Sequence, residues 1–304
     1  MKKKVLIIGS LNMDLVTNTD IMPEMGETVY GTSFRTYPGG KGANQAVACG
    51  RLASDVSMLG CVGNDEFGAS LTENLSKNNV NAENIRKIDN TTTGIATIVV
   101  YKNDNFIILE GGANKCVTPE YLDKLSDVIY ESDYIILQNE VPLETNLKIL
   151  TDKKIKAKII YNPAPAIKLD KKYYEYIDIL IPNQHECGYM LNQKIKTIDD
   201  AKKAAKELCE NGIKNVIITL GGNGAVFNDS DEYIHTPCFP VKAVDTTAAG
   251  DSFCAGIVTA LSNDMKIKEA VNFASAVAAL TVTKNGAQTS LPFLSDVEEF
   301  LGKL

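Results

Sequence analysis

Two short runs of small residues hold the side chains best suited to chemistry in this 304-residue chain. One is Asp245-Thr-Thr-Ala-Ala-Gly-Asp251-Ser-Phe-Cys-Ala-Gly256. Its Ala248, Ala249 and Gly250 leave bare backbone N–H groups where a helix begins. Such a terminus carries about half a positive charge and binds phosphate. Asp251, in the first helical turn, is ordinarily a helix-stabilising acid. Beside a phosphate it could accept the proton of an attacking hydroxyl, while the amides offset phosphoryl charge in the transition state. The other run is Pro38-Gly-Gly-Lys-Gly-Ala-Asn44. Three glycines around Lys41 suggest a backbone that comes very close to something. Gly42 follows Lys41 where a Walker A loop needs Ser or Thr, so the alternative is a tight turn into a helix.

Other polar residues fall where a site would need them. Asn12 and Asp14 follow the apolar run Val5–Ile8, and Glu140 follows Tyr134–Leu137. In open parallel sheets, ligands lie outside the carboxyl ends of strands. Asn12, Asp14, Lys41 and Asn44 could therefore hydrogen-bond several sugar hydroxyls, with Glu140 on the same rim or simply solvated. Asn183 and Glu186, one helical turn apart after Ile177–Ile181, could face phosphates and a magnesium ion together. Thr219-Leu-Gly-Gly-Asn-Gly224 could admit a nucleotide base or ribose, or be a hairpin turn. The two histidines, His185 and His235, leave a carboxylate as the natural agent of proton transfer.

These positions need a scaffold, and the apolar pattern describes one. Short runs at 5–8, 56–61, 134–137, 158–161, 177–181 and 216–219 read as strands buried on both faces. Helical patterns separate them, at 43–53 and most clearly at 199–211, where Ala201, Ala204, Ala205 and Leu208 share a face before Gly212. The expected fold is α/β, a three-layer sandwich around a mostly parallel sheet. Thr28–Tyr37 and Gly94–Leu109 break the rhythm as antiparallel strands, the second with a turn at 102–105. They predict a small β-sheet lid within about 12–37 and 92–111, part of a single domain spanning 1–304. Apolar side chains on both faces of Gly94–Tyr101 let one face cover a site and the other meet a second copy, giving a homodimer.

Composition narrows the partners. The chain carries 31 Lys and Arg against 38 Asp and Glu, with no long basic cluster, so nucleic acid is not an expected partner. No run reaches the length of a membrane span. The apolar start after three lysines is too short for a signal peptide, so the expectation is a cytoplasmic protein. Seven cysteines at 49, 61, 116, 187, 209, 238 and 254 form no C-x-x-C pair and read as reduced core thiols.

With these pieces in this order, the chain resembles the ribokinase-like carbohydrate kinase family along essentially its whole length. Gly39-Gly-Lys-Gly-Ala-Asn44 and Asp245-Thr-Thr-Ala-Ala-Gly-Asp251 are specific in combination. The resemblance implies a sheet of about nine strands with a β lid, and transfer of the ATP γ-phosphate to O5 of ribose. It implies sugar contacts at Asn12, Met13, Asp14, Gly40, Lys41, Gly42, Ala43, Asn44 and Glu140. It makes Asp251 the base, with Ala249 and Gly250 in the anion hole. Nucleotide contacts would come from Asn183, Thr219, Leu220, Gly221, Gly222, Asn223, Gly224, Gly250, Asp251 and Ser275, and Glu186 would be the magnesium-associated (Mg2+) acid. Thr281-Val-Thr-Lys284-Asn-Gly286-Ala-Gln-Thr-Ser290 resembles a monovalent-cation loop. With Asp245 and Thr247, residues Thr281, Lys284, Gly286 and Ser290 would offer hard oxygen ligands suited to potassium (K+). Deoxyribose, fructose or a nucleoside such as adenosine are alternative acceptors. A non-catalytic sugar- or nucleotide-binding regulator is the alternative of another class.

Overall fold

Four consecutive apolar residues, Val5 to Ile8, are buried together in a strand only where both of its faces are covered. In the computed structural model, which describes residues 2–102, 104–229 and 232–303, they are. Val5 and Ile7 enter one core, and Leu6 and Ile8 enter another on the opposite face. The strand is β1 (Lys4–Ile8), an interior strand of a ten-stranded sheet.

The lid strands come next in the chain: β2 (Asn12–Asn18) and β3 (Ser33–Gly39). The main sheet resumes with β4 (Asp55–Gly63), β5 (Val80–Asn81) and β6 (Ile85–Ile88). Then β7 (Gly94–Tyr101) and β8 (Asp104–Glu110) return to the lid. The remaining strands are β9 (Tyr134–Leu137), β10 (Lys158–Tyr161), β11 (Ile179–Leu180), β12 (Val216–Thr219), β13 (Ala225–Asn228) and β14 (Tyr233–Thr236). The main sheet runs β14-β13-β12-β11-β10-β9-β1-β4-β5, with β6 also paired to β4. Its pairings are parallel except at the β12-β13-β14 edge. The lid is a separate sheet ordered β3-β2-β7-β8.

Ten α-helices are described: α1 (Lys41–Arg51), α2 (Glu66–Lys77), α3 (Pro119–Asp123), α4 (Ser126–Tyr130), α5 (Leu143–Thr151), α6 (Gln184–Leu191), α7 (Ile198–Glu210), α8 (Ala249–Ser262), α9 (Ile267–Thr281) and α10 (Leu294–Gly302). Residues of α1, α8 and α9 fill the core with Val5 and Ile7, while α5 and α7 fill the other. The expected sandwich and lid are both present.

The differences are local. The helix expected at 43–53 begins earlier, at Lys41, because Gly40 turns the chain at φ 87°. The run 177–181 contributes only Ile179 and Leu180 to its strand. In the stretch 28–37, only the part from Ser33 onward is strand. The turn expected at 102–105 is tighter, since β8 starts at Asp104; Asn103 lies outside the described residues. Strands β13 and β14 had no forecast. All seven cysteines are unpaired, but Cys238 is exposed rather than in the core. No described helix is long and apolar enough to cross a membrane.

Candidate active site

The site lies beyond the carboxyl ends of β1 and β9, where α1 and α8 begin. Close backbone approach is what the glycines of 39–44 allow. A Cβ on Gly40 would lie 2.7 Å from the Asn12 nitrogen, and one on Gly42 would lie 2.6 Å from the Ser10 nitrogen. Helix α1 has no capping side chain of its own at Gly40. Its first amides are met from outside: the Lys41 N–H donates to Glu140 Oε2 at 3.0 Å and the Ala43 N–H to the Ser10 carbonyl at 2.9 Å. Ser10 Oγ also donates to Glu140 Oε2 at 2.5 Å. Glu140 is thus a fixed carboxylate, and its Oε1 receives no hydrogen bond from the described residues.

Asn12 and Asp14 share a face of β2, while Met13 points the other way into the core, as strand alternation requires. Ala43 likewise packs in the core. With both side chains in the core, any contact of Met13 or Ala43 with a ligand would fall to the backbone. Asn12 is held by Asn114, whose Nδ2 donates to its Oδ1 at 2.7 Å, leaving the Asn12 amide nitrogen for a ligand. Asp14 receives no hydrogen bond from the described residues. Burial, reinforced by the charges of Glu140 and Asp251, raises its pKa from 3.8 to about 7. A carboxylate without donors in a pocket is suited to accept hydroxyl protons in hydrogen bonds.

Asp251 is 5% exposed at the start of α8. Asn44 Nδ2 donates to its Oδ2 at 3.0 Å, and Gln45 Nε2 to its Oδ1 at 3.1 Å. The helix begins through Ala248, a non-glycine residue at φ 59°. The Ala249 N–H bonds the Thr246 carbonyl at 3.2 Å and the Ser252 N–H bonds the Ala248 carbonyl at 2.8 Å. Among the described residues, the amides of Gly250 and Asp251 have no carbonyl partner. The open amides at the start of α8 are thus one residue further along than Ala249 and Gly250, because the Ala249 N–H is spent on the turn.

A cavity lined by Lys41, Asn162, Asn183, Glu186, Thr219, Thr246 and Gly250 adjoins Asp251, which also lines it. The charge of Asp251, followed by those of Glu140 and Glu186, outweighs burial and raises the Lys41 ammonium above the usual lysine range. Glu186 is pushed up mainly by burial. Asn183 and Glu186 do lie together, but as a capping box on α6: Asn183 Oδ1 accepts from the Glu186 N–H at 2.9 Å, and Glu186 Oε2 from the Asn183 N–H at 2.8 Å. Among the described residues, no group of three or more His, Cys, Asp or Glu gathers for a metal ion.

Thr219, Thr246, Ala249 and Gly250 also line a second, mostly apolar cavity with Gly221, Gly222, Gly224, Phe239, Val241, Ser275 and Val282. The two cavities meet at the start of α8. The glycine run at 219–224 is the hairpin turn considered for it, joining antiparallel β12 and β13, and its glycines also line this cavity. Leu220 instead packs in the core, and Asn223, whose carbonyl meets His235 at 2.8 Å, does not line the cavity. Phe239 and Val241 went unforecast because a lone apolar residue in a loop carries no periodic signal.

At the far end of the same motif, Asp245 ties the chain to the loop after α9. It accepts from the Thr247 N–H and Oγ1 at 2.9 and 2.6 Å and from the Gly286 N–H at 2.8 Å. Burial opposes its ionisation, but these bonds prevail and lower its pKa. Thr281 Oγ1 donates back into α9, to the Val277 carbonyl, and Ser290 Oγ donates to the Ala287 carbonyl. Lys284 is exposed.

Residues 2–294 match the family described as pfkB family carbohydrate kinase. Ribokinase of Lactococcus lactis is 43% identical over 303 residues, covering 99% of this chain and 98% of that protein. Deoxyribokinase of Salmonella typhi is 38% identical over 304 residues, covering 98% of each. The structure of Arabidopsis thaliana ribokinase complexed with ribose and ATP matches with a TM-score of 0.94 at 29% identity, covering 99% of both chains. Full-length similarity of this kind, on a site with this geometry, makes the chain a member of the pfkB family of carbohydrate kinases.

Proposed function

We propose that the protein is an ATP-dependent kinase that phosphorylates D-ribose at O5, yielding ribose 5-phosphate and ADP. The observation that carries this reading is the place of Asp251. Its carboxylate accepts from Asn44, its charge reaches Asp14 of the polar rim and helps raise that residue's pKa, and Asp251 also lines the cavity that adjoins the apolar one. Sugar hydroxyls would bond Asn12, Asp14, Asn44 and Glu140, while the nucleotide base lies among Gly221, Gly222, Phe239 and Ser275. Asp251 takes the hydroxyl proton as the O5–phosphorus bond forms and the bond from the γ-phosphorus to ADP breaks. The amides of Gly250 and Asp251, with the Lys41 ammonium, offset the charge that develops on the phosphoryl oxygens.

Glu186 would be the carboxylate that helps hold magnesium, which when bound to the triphosphate would neutralise phosphate charge. Asp245, Thr247, Ser290 and the carbonyls of Thr281, Lys284 and Gly286 form the hard oxygen set proposed for potassium, which would add fixed positive charge beside the anion hole. The proposed setting is the cytoplasm, and the proposed assembly a homodimer formed through the lid.

A second acceptor, 2-deoxyribose, is favoured by the similarity to a deoxyribokinase. A site that bonds the 2-hydroxyl rejects the sugar lacking it, whereas a site that ignores it accepts both. Coupled measurement of ADP release with ribose, 2-deoxyribose, fructose and adenosine decides between them. Ribose is expected to have the highest kcat/KM; a higher value for another acceptor overturns the assignment.

A further inference from the structure

Gln45 follows Asn44 in α1 and is fully buried. Its Nε2 donates to Asp251 Oδ1 at 3.1 Å and to Asn162 Oδ1 at 3.2 Å, and its Oε1 accepts from Gln138 Nε2 at 2.6 Å. Simple valence rules set the direction of this relay. The Ile181 carbonyl can only accept, so Asn162 turns Nδ2 toward it, at 2.8 Å, and shows Oδ1 to Gln45. Gln45 must then present its amide hydrogens on that side, which is the side where Asp251 stands. Reversing Gln45 would set a carbonyl oxygen against both Asn162 Oδ1 and the Asp251 carboxylate.

The relay has a cost. With Gln138 giving its nitrogen to Gln45, Gln138 Oε1 is buried without a partner. It occupies the space that a Cβ on Gly9 would need, which would lie 2.0 Å from it. Side chains that merely filled this space would be apolar, because an unpaired buried polar atom destabilises the fold. Such local costs are expected where function demands them.

We propose that Gln45 is a positioning residue for phosphoryl transfer: oriented by Asn162 and Gln138, it holds the Asp251 carboxylate in place before the sugar arrives. This rests on the reading of Asp251 as the base. Gln45 lines neither cavity, so its loss should fall on kcat and not on substrate binding.

The test is Gln45→Met, which keeps the length and removes the donor, measured alone and on an Asp251→Asn background. Alone, kcat is expected to fall about 10- to 100-fold, the scale of a misplaced catalytic group. KM for sugar and ATP should stay within about threefold, since no ligand contact is lost. On the Asp251→Asn background, the residual rate should change less than about twofold, because the two residues act as one unit. Unchanged kcat, a rise in KM in place of the fall in kcat, or the same fold-loss on both backgrounds would overturn the proposal. If Gln45→Met does not fold, Gln138→Met, which removes only the donor to Gln45, is read by the same three outcomes. If Asp251→Asn alone keeps full turnover, the base assignment fails first and this inference with it.

Discussion

Asp14 is a carboxylate placed among carboxylates, and the sugar proposal explains why it is tolerated. Its folded-state pKa of about 7 lies above the ordinary 3.8. As pH rises through this interval, an unfolded chain gives up the proton and the folded one keeps it. Folding stability therefore falls between pH 4 and 7, roughly, and is level above that. Asp14→Asn should recover at most about 4 kcal/mol at pH 8 and almost nothing at pH 4. The same change should weaken sugar phosphorylation sharply. Thermal melts of both proteins across this range check it, and an equal gain at every pH would rule out ionisation as the cause. Several residues of this rim were legible in the sequence, because Asn12, Asp14, Lys41, Asn44 and Glu140 follow recognisable apolar runs or glycine turns. Ser10, Gln45 and Asn114 were not legible. Their partners Glu140, Asp251 and Asn12 lie 130, 206 and 102 residues away in the chain, and no local pattern records such a pairing.

At the scale of elements, the site depends on how closely α1 lies against β1. Gly42→Ala would push a methyl against the backbone of Gly9 and Ser10. Overpacking of this kind should cost about 1–3 kcal/mol. Because Lys41 and Asn44 ride on the same helix, kcat/KM should fall as well; a variant with unchanged melting temperature and activity would show that the contact has room. The loop after α9 is tied at both ends, to Asp245 through Gly286 and to α1 through Arg51, which donates to the Gln288 and Leu291 carbonyls at 2.7 Å each. Gln288 also donates to Asn44, at 3.1 Å. A cation held in this loop would stiffen the frame around Asp251. Activity should rise when potassium replaces a bulky organic cation such as tetramethylammonium, and no response would remove the loop from this role. Capping chemistry shows the limit of motif reading: the spacing of Asn183 and Glu186 that suggested a phosphate and magnesium site also makes a capping box, and the capping box is what the hydrogen bonds form.

For the whole molecule, the lid presents an apolar surface that the site does not explain. Phe34 of β3 and Phe106, Ile107, Ile108 and Leu109 of β8 are exposed, each by more than half. Apolar surface gathered on one small sheet is expected to be covered, and a second copy of the chain is the proposed cover. Light scattering at micromolar concentration should give the dimer mass, and Ile108→Lys should shift it toward the monomer; a monomeric unmodified protein would remove this role from the lid. The apolar rhythm was enough to read a parallel sheet with helices on both faces, since apolar runs as short as Val5–Ile8, repeated between helical patterns, fit strands covered on both faces. Residue types and spacing were also enough to single out Asp251 and the two small-residue turns, because phosphate binding at a helix start is a local property. Which amides of that turn remain open, which way Met13 and Ala43 face, and what holds Asp251 in place were decided only by tertiary structure. Each depends on a neighbour brought from far along the chain, and a one-residue step in a strand or turn is enough to send a side chain to the core instead of the site.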